Sequence, residues 1–449
     1  MTYAEVLEYL YQLPTFRYWQ PAGEIVLPEL GRLRTLLQRL GSPHHAFRSV
    51  HVAGTKGKGS VSAMVASILK QAGYRTGLYT SPHLHTFRER IQINGELISE
   101  EEVVQIAQWL RPALEATPVT VFEAITALAF EHFRRREVEI AVLEVGMGGR
   151  FDATNVVRPL VSVITSIGWD HMNVLGNSIP EIAAEKAGII KRGVPAVFAP
   201  QKQAAAAVLE ATARRKRARQ IWVGRDWRWE RRRQSLQRQR FTVLPPKKHP
   251  RAWTSPLEDL FIPLLGKHQL DNATAAVAAV AEVVRGGFEV DESALRRGLA
   301  QVDWPARIEV LQSDPWLIVD SAHTIESVEV ALATIRELFG RDPDVILFGV
   351  YADKDVAGML SQMPPTAQLI LSQASHPRAM DIDHLRSLTH SFRGEIRAIP
   401  SPREALERAL SEASAEDIIL VIGSLFLAAE VRGAWHTLKG LPHPPQDLL

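Results

Sequence analysis

The sequence predicts an α/β protein of two domains, each a mostly parallel sheet covered by helices. Three observations predict it. The chain has 449 residues and is 46% hydrophobic, enough for more than one core, and cores usually divide beyond about 250–300 residues. Short runs rich in Val and Ile alternate with segments of helical apolar spacing, the order expected of parallel strands with crossover helices. Several of those runs are apolar throughout, as in strands buried on both faces.

Residues 49–53 form the first β-prone run and enter a glycine-rich loop. Residues 60–71 then show helical spacing through Val61, Met64, Val65, Ile68 and Leu69. Helices are expected over 100–114 and 122–135, followed by buried strands over 140–145 and 160–167. Residues 273–284 read as a strong helix, followed by Gly286-Gly287 and a short helix ending near Leu299. A second α/β series has strands expected at 316–320, 345–350, 368–372 and 418–423. The boundary is placed near Val302, before Trp304-Pro305, because proline favours an extended approach and ends helices. This gives a domain over 1–302 and a smaller one over 303–449.

Composition excludes several classes of function. The chain contains no cysteine, so disulfides, thiolate zinc sites and a cysteine nucleophile are ruled out, and a metal must be held by oxygen or imidazole. No apolar run is long enough for a membrane span, and the first ten residues do not resemble a signal peptide. A cytoplasmic, membrane-free protein is expected. The formal net charge is only +2, yet residues 213–240 carry twelve Lys/Arg against Asp226 and Glu230. Arginine with Trp222, Trp227 and Trp229 could bind nucleic acid. The preferred reading is a helix followed by a solvated β-region, with no nucleic-acid partner.

The loop Gly54-Thr55-Lys56-Gly57-Lys58-Gly59-Ser60 lies between the first predicted strand and helix. Glycines there let backbone N–H groups turn toward phosphate, the helix N-terminus adds partial positive charge, Lys58 neutralises oxygens and Ser60 can ligate Mg²⁺. Its spacing is shorter than that of the common phosphate loop, and it resembles the Mur ligase form. The first domain is accordingly read as a P-loop-type ATPase domain and the second as Rossmann-like.

Further blocks extend the likeness: Thr80-Ser81-Pro82-His83-Leu84, Glu144 to Arg150, Asp152 to Asn155, Thr165 to His171, Glu185 to Ile189, His268-Gln269, Trp304 to Arg307 and Asp320 to His323. In this order the chain resembles the folylpolyglutamate synthase and dihydrofolate synthase family over nearly its whole length. The resemblance implies an ATP-dependent ligase. It would join L-glutamate to the carboxylate of a folate, or of dihydropteroate, through an acyl phosphate, with ATP as co-substrate, two Mg²⁺ sites and a monomeric state. Other Mur-type amide ligases and a non-enzymatic nucleotide- or nucleic-acid-binding protein are the alternatives.

The resemblance also implies roles for residues. Gly54, Thr55, Lys56, Gly57, Lys58, Gly59 and Ser60 would cradle ATP, with Asn272 near adenine, Arg307 at the phosphates and Asp320 as a further nucleotide contact. Ser60 and Glu144 would hold one Mg²⁺. Ser81, Glu144, His171 and a carboxylated Lys186 would hold the second. The catalytic set is then Lys58, Glu144, His171, Lys186 and His323. Thr120, Phe122, Glu123, Phe151, Asp152 and Ala153 would meet folate or pteroate, and His323 and Ser424 the incoming glutamate.

Overall fold

The computed structural model describes residues 1–14, 30–247 and 253–447. Eight strands form the first sheet: β1 (Arg48–Ala53), β2 (Thr76–Tyr79), β3 (Ile91–Ile93), β4 (Glu96–Leu97), β5 (Ile140–Glu144), β6 (Val161–Ile164), β7 (Ala196–Phe198) and β8 (Gln220–Trp222). Their order is β4-β3-β2-β5-β1-β6-β7-β8. Six neighbours from β2 to β8 run parallel, while β3 and β4 add antiparallel at one edge.

Period-two alternation sends the side chains of each strand to opposite layers. Val50, Val52, Val142 and Val163 pack against the helices Lys58–Gln71, Lys267–Arg285 and Glu292–Ala300. Ala141 and Leu143 face Tyr3–Gln12, Gly31–Arg39, Glu100–Glu115 and Val121–Arg135. Local sequence fixes where helices begin. Ser99 with Glu102, and Thr120 with Glu123, form reciprocal capping boxes that satisfy otherwise orphaned N–H groups.

A three-stranded antiparallel sheet, β9 (Arg228–Gln234), β10 (Gln239–Leu244) and β11 (Leu257–Ile262), extends the first core. The basic segment is therefore a helix, Gln203–Arg215, followed by strands, as expected. Its tryptophans do not form a stacking platform. Trp222 and Trp227 are core residues, Trp227 being 1% exposed, and the Trp229 indole donates to Asp271 Oδ1 at 2.8 Å.

The second sheet contains β12 (Glu309–Ser313), β13 (Trp316–Val319), β14 (Val345–Phe348), β15 (Gln368–Leu371), β16 (Ile396–Ala398) and β17 (Ile418–Ile422). Their order is β12-β13-β17-β14-β15-β16, parallel except for β12. Ile318, Ile346 and Leu420 face one helical layer, and Leu317, Leu347 and Val421 the other. In the connection, Val302 packs into the first core, whereas Ala306 and Ile308 belong to the second.

Candidate active site

The parallel strands β2, β5, β1 and β6 are consecutive neighbours, so the loops leaving their carboxyl ends open side by side. That edge is where open α/β sheets bind ligands. It carries Ser81 after β2, Glu144 at the end of β5, the glycine loop after β1, and Asp170-His171 after β6. The carboxyl ends of β13, β14 and β17 supply Asp320 to His323, Tyr351 to Lys354 and Ser424 from the second domain.

The glycine loop is held from beneath by β6. The N–H groups of Thr55 and Lys56 donate to Ser166 O at 2.8 and 3.2 Å, and Thr55 Oγ1 exchanges hydrogen bonds with the backbone of Gly168. Gly57, at φ +90°, turns the chain into the helix, and a Cβ there would lie 2.4 Å from Asn272 Oδ1. A Cβ on Gly59 would lie 2.6 Å from the Trp304 ring. The glycines thus let the loop, Asn272 and the interdomain connection meet. Lys58 begins the helix with its ammonium over its own loop, 3.4 Å from Thr55 O, and Ser60 lies buried in the first turn.

Glu144 is 5% exposed and accepts the Ser81 N–H at 3.2 Å. That is its one hydrogen bond among the described residues. Burial raises its pKa, while Lys58, the Ser81 N–H and Arg307 act in the opposite direction. A buried carboxylate with spare acceptor sites, at the same sheet edge as the glycine loop and Ser81, suits a hard cation that keeps most of its ligands as water or phosphate. Among the described residues no three or more His, Asp and Glu cluster to hold a metal. A site here would need ligands beyond such a cluster, hydroxyls and substrate oxygens among them.

Lys186 is 3% exposed, in the last turn of Ile179–Lys186, and its Nζ donates to Gly54 O at 2.8 Å. Burial, reinforced by Lys58, pushes its amine down to about 7. The bond to Gly54 O ties Lys186 to the first residue of the glycine loop. Arg307, half-buried, lies beside the Ser321 hydroxyl and donates to Ala306 O at 2.7 Å. It stands between Ala306 and Ile308 at φ +55° and +49°. For a β-branched isoleucine that left-handed backbone is strained, and such strain concentrates where a side chain must be aimed.

Asp320 spends its oxygens on the N–H groups of Ile308 and Ala322, at 2.8 and 2.7 Å, so it organises the Arg307 segment. Ser424 caps the helix Leu425–Leu438 by accepting Leu427 N–H at 3.1 Å. Thr120 and Glu123 are committed to each other's backbone. Phe122 lies against Gly146 and Tyr79. Phe151, under the Arg150 guanidinium, lines a cavity of about 330 Å³ with Asp152, Met147 and Leu175. Ala153 is buried in the adjoining helical core.

Sequence reasoning assigned no role to Asp170 and overlooked Lys354. Asp170 receives Lys56 at 3.5 Å and Lys354, from the second domain, at 3.8 Å. Burial works to raise its pKa, but Lys56, His171, His323 and Lys354 hold it well below the ordinary carboxylate range. His323 Nε2 lies 3.3 Å from Lys56 Nζ, and burial keeps its ring neutral. Asp170 is thus the anionic centre of an interdomain cationic cluster. The signal was available: Tyr351-Ala352-Asp353-Lys354 directly follows an apolar strand at the ligand edge.

A phosphate loop, a buried carboxylate and an arginine reaching across from a second α/β domain define an ATP-dependent ligase of the Mur type. Residues 52–280 match the Mur ligase middle domain and residues 306–425 the Mur ligase glutamate ligase domain. The chain belongs to the folylpolyglutamate synthase/dihydrofolate synthase family. It is 36% identical over 420 residues to a dihydrofolate synthase/folylpolyglutamate synthase of Bacillus subtilis, covering 91% of this chain and 95% of the relative. The crystal structure of a Thermotoga maritima folylpolyglutamate synthase superposes with a TM-score of 0.83 at 36% identity, covering 98% of this chain and 97% of that one. A folylpolyglutamate synthase complex with AMPPCP and folate superposes at 0.82 and 33% identity, covering 96% and 99%. No helix among the described residues is long and apolar enough to cross a membrane.

Proposed function

We propose that this ligase adds L-glutamate to the carboxylate of a reduced folate, and that dihydropteroate is a second acceptor. The observation that carries the reading is the convergence of the glycine loop, Glu144 and Ser81 from one sheet edge with Arg307 and His323 from the other. Triphosphate and carboxylate are both anionic, so their approach demands fixed cations. Lys58, Arg307 and Lys56 supply them. The carboxylate attacks the γ-phosphorus of ATP and releases ADP, and the glutamate amine then displaces phosphate from the acyl carbon.

Ser60 and Glu144 would hold one Mg²⁺; Ser81, Glu144, His171 and carboxylated Lys186 would hold the second. Bound there, Mg²⁺ would offset charge between the triphosphate and the attacking carboxylate. The depressed Lys186 amine supports carboxylation, because a neutral nitrogen lone pair can add to CO₂ and shed a proton at neutral pH. Gly54, Thr55, Gly57 and Gly59 bound the phosphate cradle with Lys58, while Asn272 lies where the base enters and Asp320 holds the Arg307 segment. We assign the pteroate ring to Phe122 and Phe151, with Thr120, Glu123, Asp152 and Ala153 shaping the segments around them. The incoming glutamate lies at His323 and Ser424. We place the domain boundary at 302/303, supported by the change of core between Val302 and Ala306, and the working protein as a cytoplasmic monomer.

The test supplies ATP, Mg²⁺ and L-glutamate with tetrahydrofolate, dihydropteroate or a peptidoglycan precursor, and follows phosphate release with mass spectrometry of the product. Glutamyl product on the first two supports the reading. Turnover confined to the last overturns it.

A further inference from the structure

The turn that follows Glu144 contains glycine at positions 146, 148 and 149, so its own side chains do little to fix it. Asp152 fixes it instead. Its Oδ2 accepts the N–H groups of Gly146 and Met147, at 3.0 and 3.1 Å, and its Oδ1 accepts the Thr154 N–H at 2.9 Å and the Thr154 hydroxyl at 2.5 Å. Four donors fill the acceptor sites of one carboxylate. It has none left for a substrate N–H unless one of these bonds breaks.

The Thr154 hydroxyl has a single hydrogen. Burial raises the Asp152 pKa, and the four bonds it accepts act in the opposite direction. Given to Asp152, the hydrogen leaves the oxygen to accept from His51 Nε2, 2.7 Å away. His51 lies on β1, three residues before Gly54, and is fully buried. Burial, with Lys191 adding to it, pushes its ring down to about 3, so it is neutral throughout the working range. The opposite bond direction would require a protonated Asp152 and would bury an Nδ1–H, and Nδ1 has no partner among the described residues. An orphaned N–H is the rarer defect, so the direction from His51 through Thr154 to Asp152 is preferred.

We infer that His51 and Thr154, acting through Asp152, are positioning residues that brace the Glu144 turn against the strand feeding the phosphate loop. The brace sets the relative position of Glu144 and the phosphate-binding backbone, so it governs turnover more than folate binding. The inference rests on Glu144 serving the ATP site as proposed above.

The experiment compares Thr154→Val with Thr154→Ser in the full chain. It measures amide hydrogen exchange over residues 145–150 without ligands, then kcat and KM for tetrahydrofolate. Removing such outer support typically costs about 10–100-fold, so Thr154→Val should lose about that much kcat, with folate KM within about threefold. Exchange in the turn should quicken while β1 keeps its protection, and Thr154→Ser should recover most of both. If the Val variant does not fold, His51→Gln, which keeps an N–H donor, is compared with His51→Leu in the same way. Unchanged exchange and kcat in the hydroxyl-free or donor-free variant overturns the brace. So does a raised folate KM at unchanged kcat, which would place the effect of the brace in the folate pocket rather than at Glu144. Glu144→Gln is assayed alongside: full activity in that variant overturns the site reading itself, whatever the exchange shows.

Discussion

Replacing Lys186 with methionine should stabilise the ligand-free protein while abolishing its activity. The native amine is 3% exposed and its pKa falls from 10.5 to about 7. At about 1.4 kcal/mol per unit, neutralising it at pH 8 costs the folded state about 3 kcal/mol, rising to about 5 below pH 7. Methionine removes that cost and forfeits the bond to Gly54 O, worth about 1 kcal/mol. The net gain is about 2 kcal/mol at pH 8, or about 3 °C in apparent Tm for a unit of about 300 residues. Between pH 7 and 10.5 the unfolded amine carries a proton that the folded one lacks, so the native protein gains stability as pH rises through that window. The variant lacks this rise, and the gap should close by about 1.4 kcal/mol per pH unit. The assay is thermal unfolding of both proteins from pH 6.5 to 10 in EDTA and CO₂-free buffer. Parallel curves, or a less stable variant at pH 7, would refute the reasoning.

Lys58→Ala should reduce kcat by about 10³-fold or more, since it removes a fixed cation at the transferring phosphate. Its apparent Tm should stay within about 2 °C, because the half-buried side chain contributes little packing. Gly59→Ala places a methyl 2.6 Å from the Trp304 ring. Forcing the interdomain connection away should weaken AMPPCP binding about tenfold by calorimetry, and unchanged affinity would detach Trp304 from the nucleotide site. Fluorescence anisotropy with single-stranded RNA should show only weak, salt-screened association, because Trp222 and Trp227 are buried where a binding platform would need them exposed.

The strands that are apolar on both faces, such as Ile140–Glu144 and Ile418–Ile422, were legible because burial leaves a continuous hydrophobic run. The short edge elements were not. Thr76–Tyr79 is four residues long, and Ile91–Ile93 pairs with Glu96–Leu97 across Asn94-Gly95, both at positive φ. That Asn-Gly pair is a hairpin signal that the reading passed over. At the site, motif order singled out the glycine loop and Lys186, which the structure joins through the Lys186 bond to Gly54 O. The duties of Asp152, Asp320 and Thr120 were not legible, because a carboxylate or hydroxyl that holds backbone N–H groups looks the same in sequence as one that meets a ligand. Only the count of donors already satisfied distinguishes them, as at Asp152 with its four bonds.

The central claim is that the cleft between the two sheet edges activates a folate carboxylate by phosphorylation. The direct measurement uses tetrahydrofolate carrying ¹⁸O in its terminal carboxylate, with ATP, Mg²⁺ and L-glutamate, and mass analysis of the phosphate and of the product. An acyl phosphate sends one carboxylate oxygen out with phosphate and leaves the other in the new amide. With product held to the first addition, the account predicts one ¹⁸O in the phosphate released for each product molecule formed. Unlabelled phosphate accompanying the first glutamyl addition would contradict it.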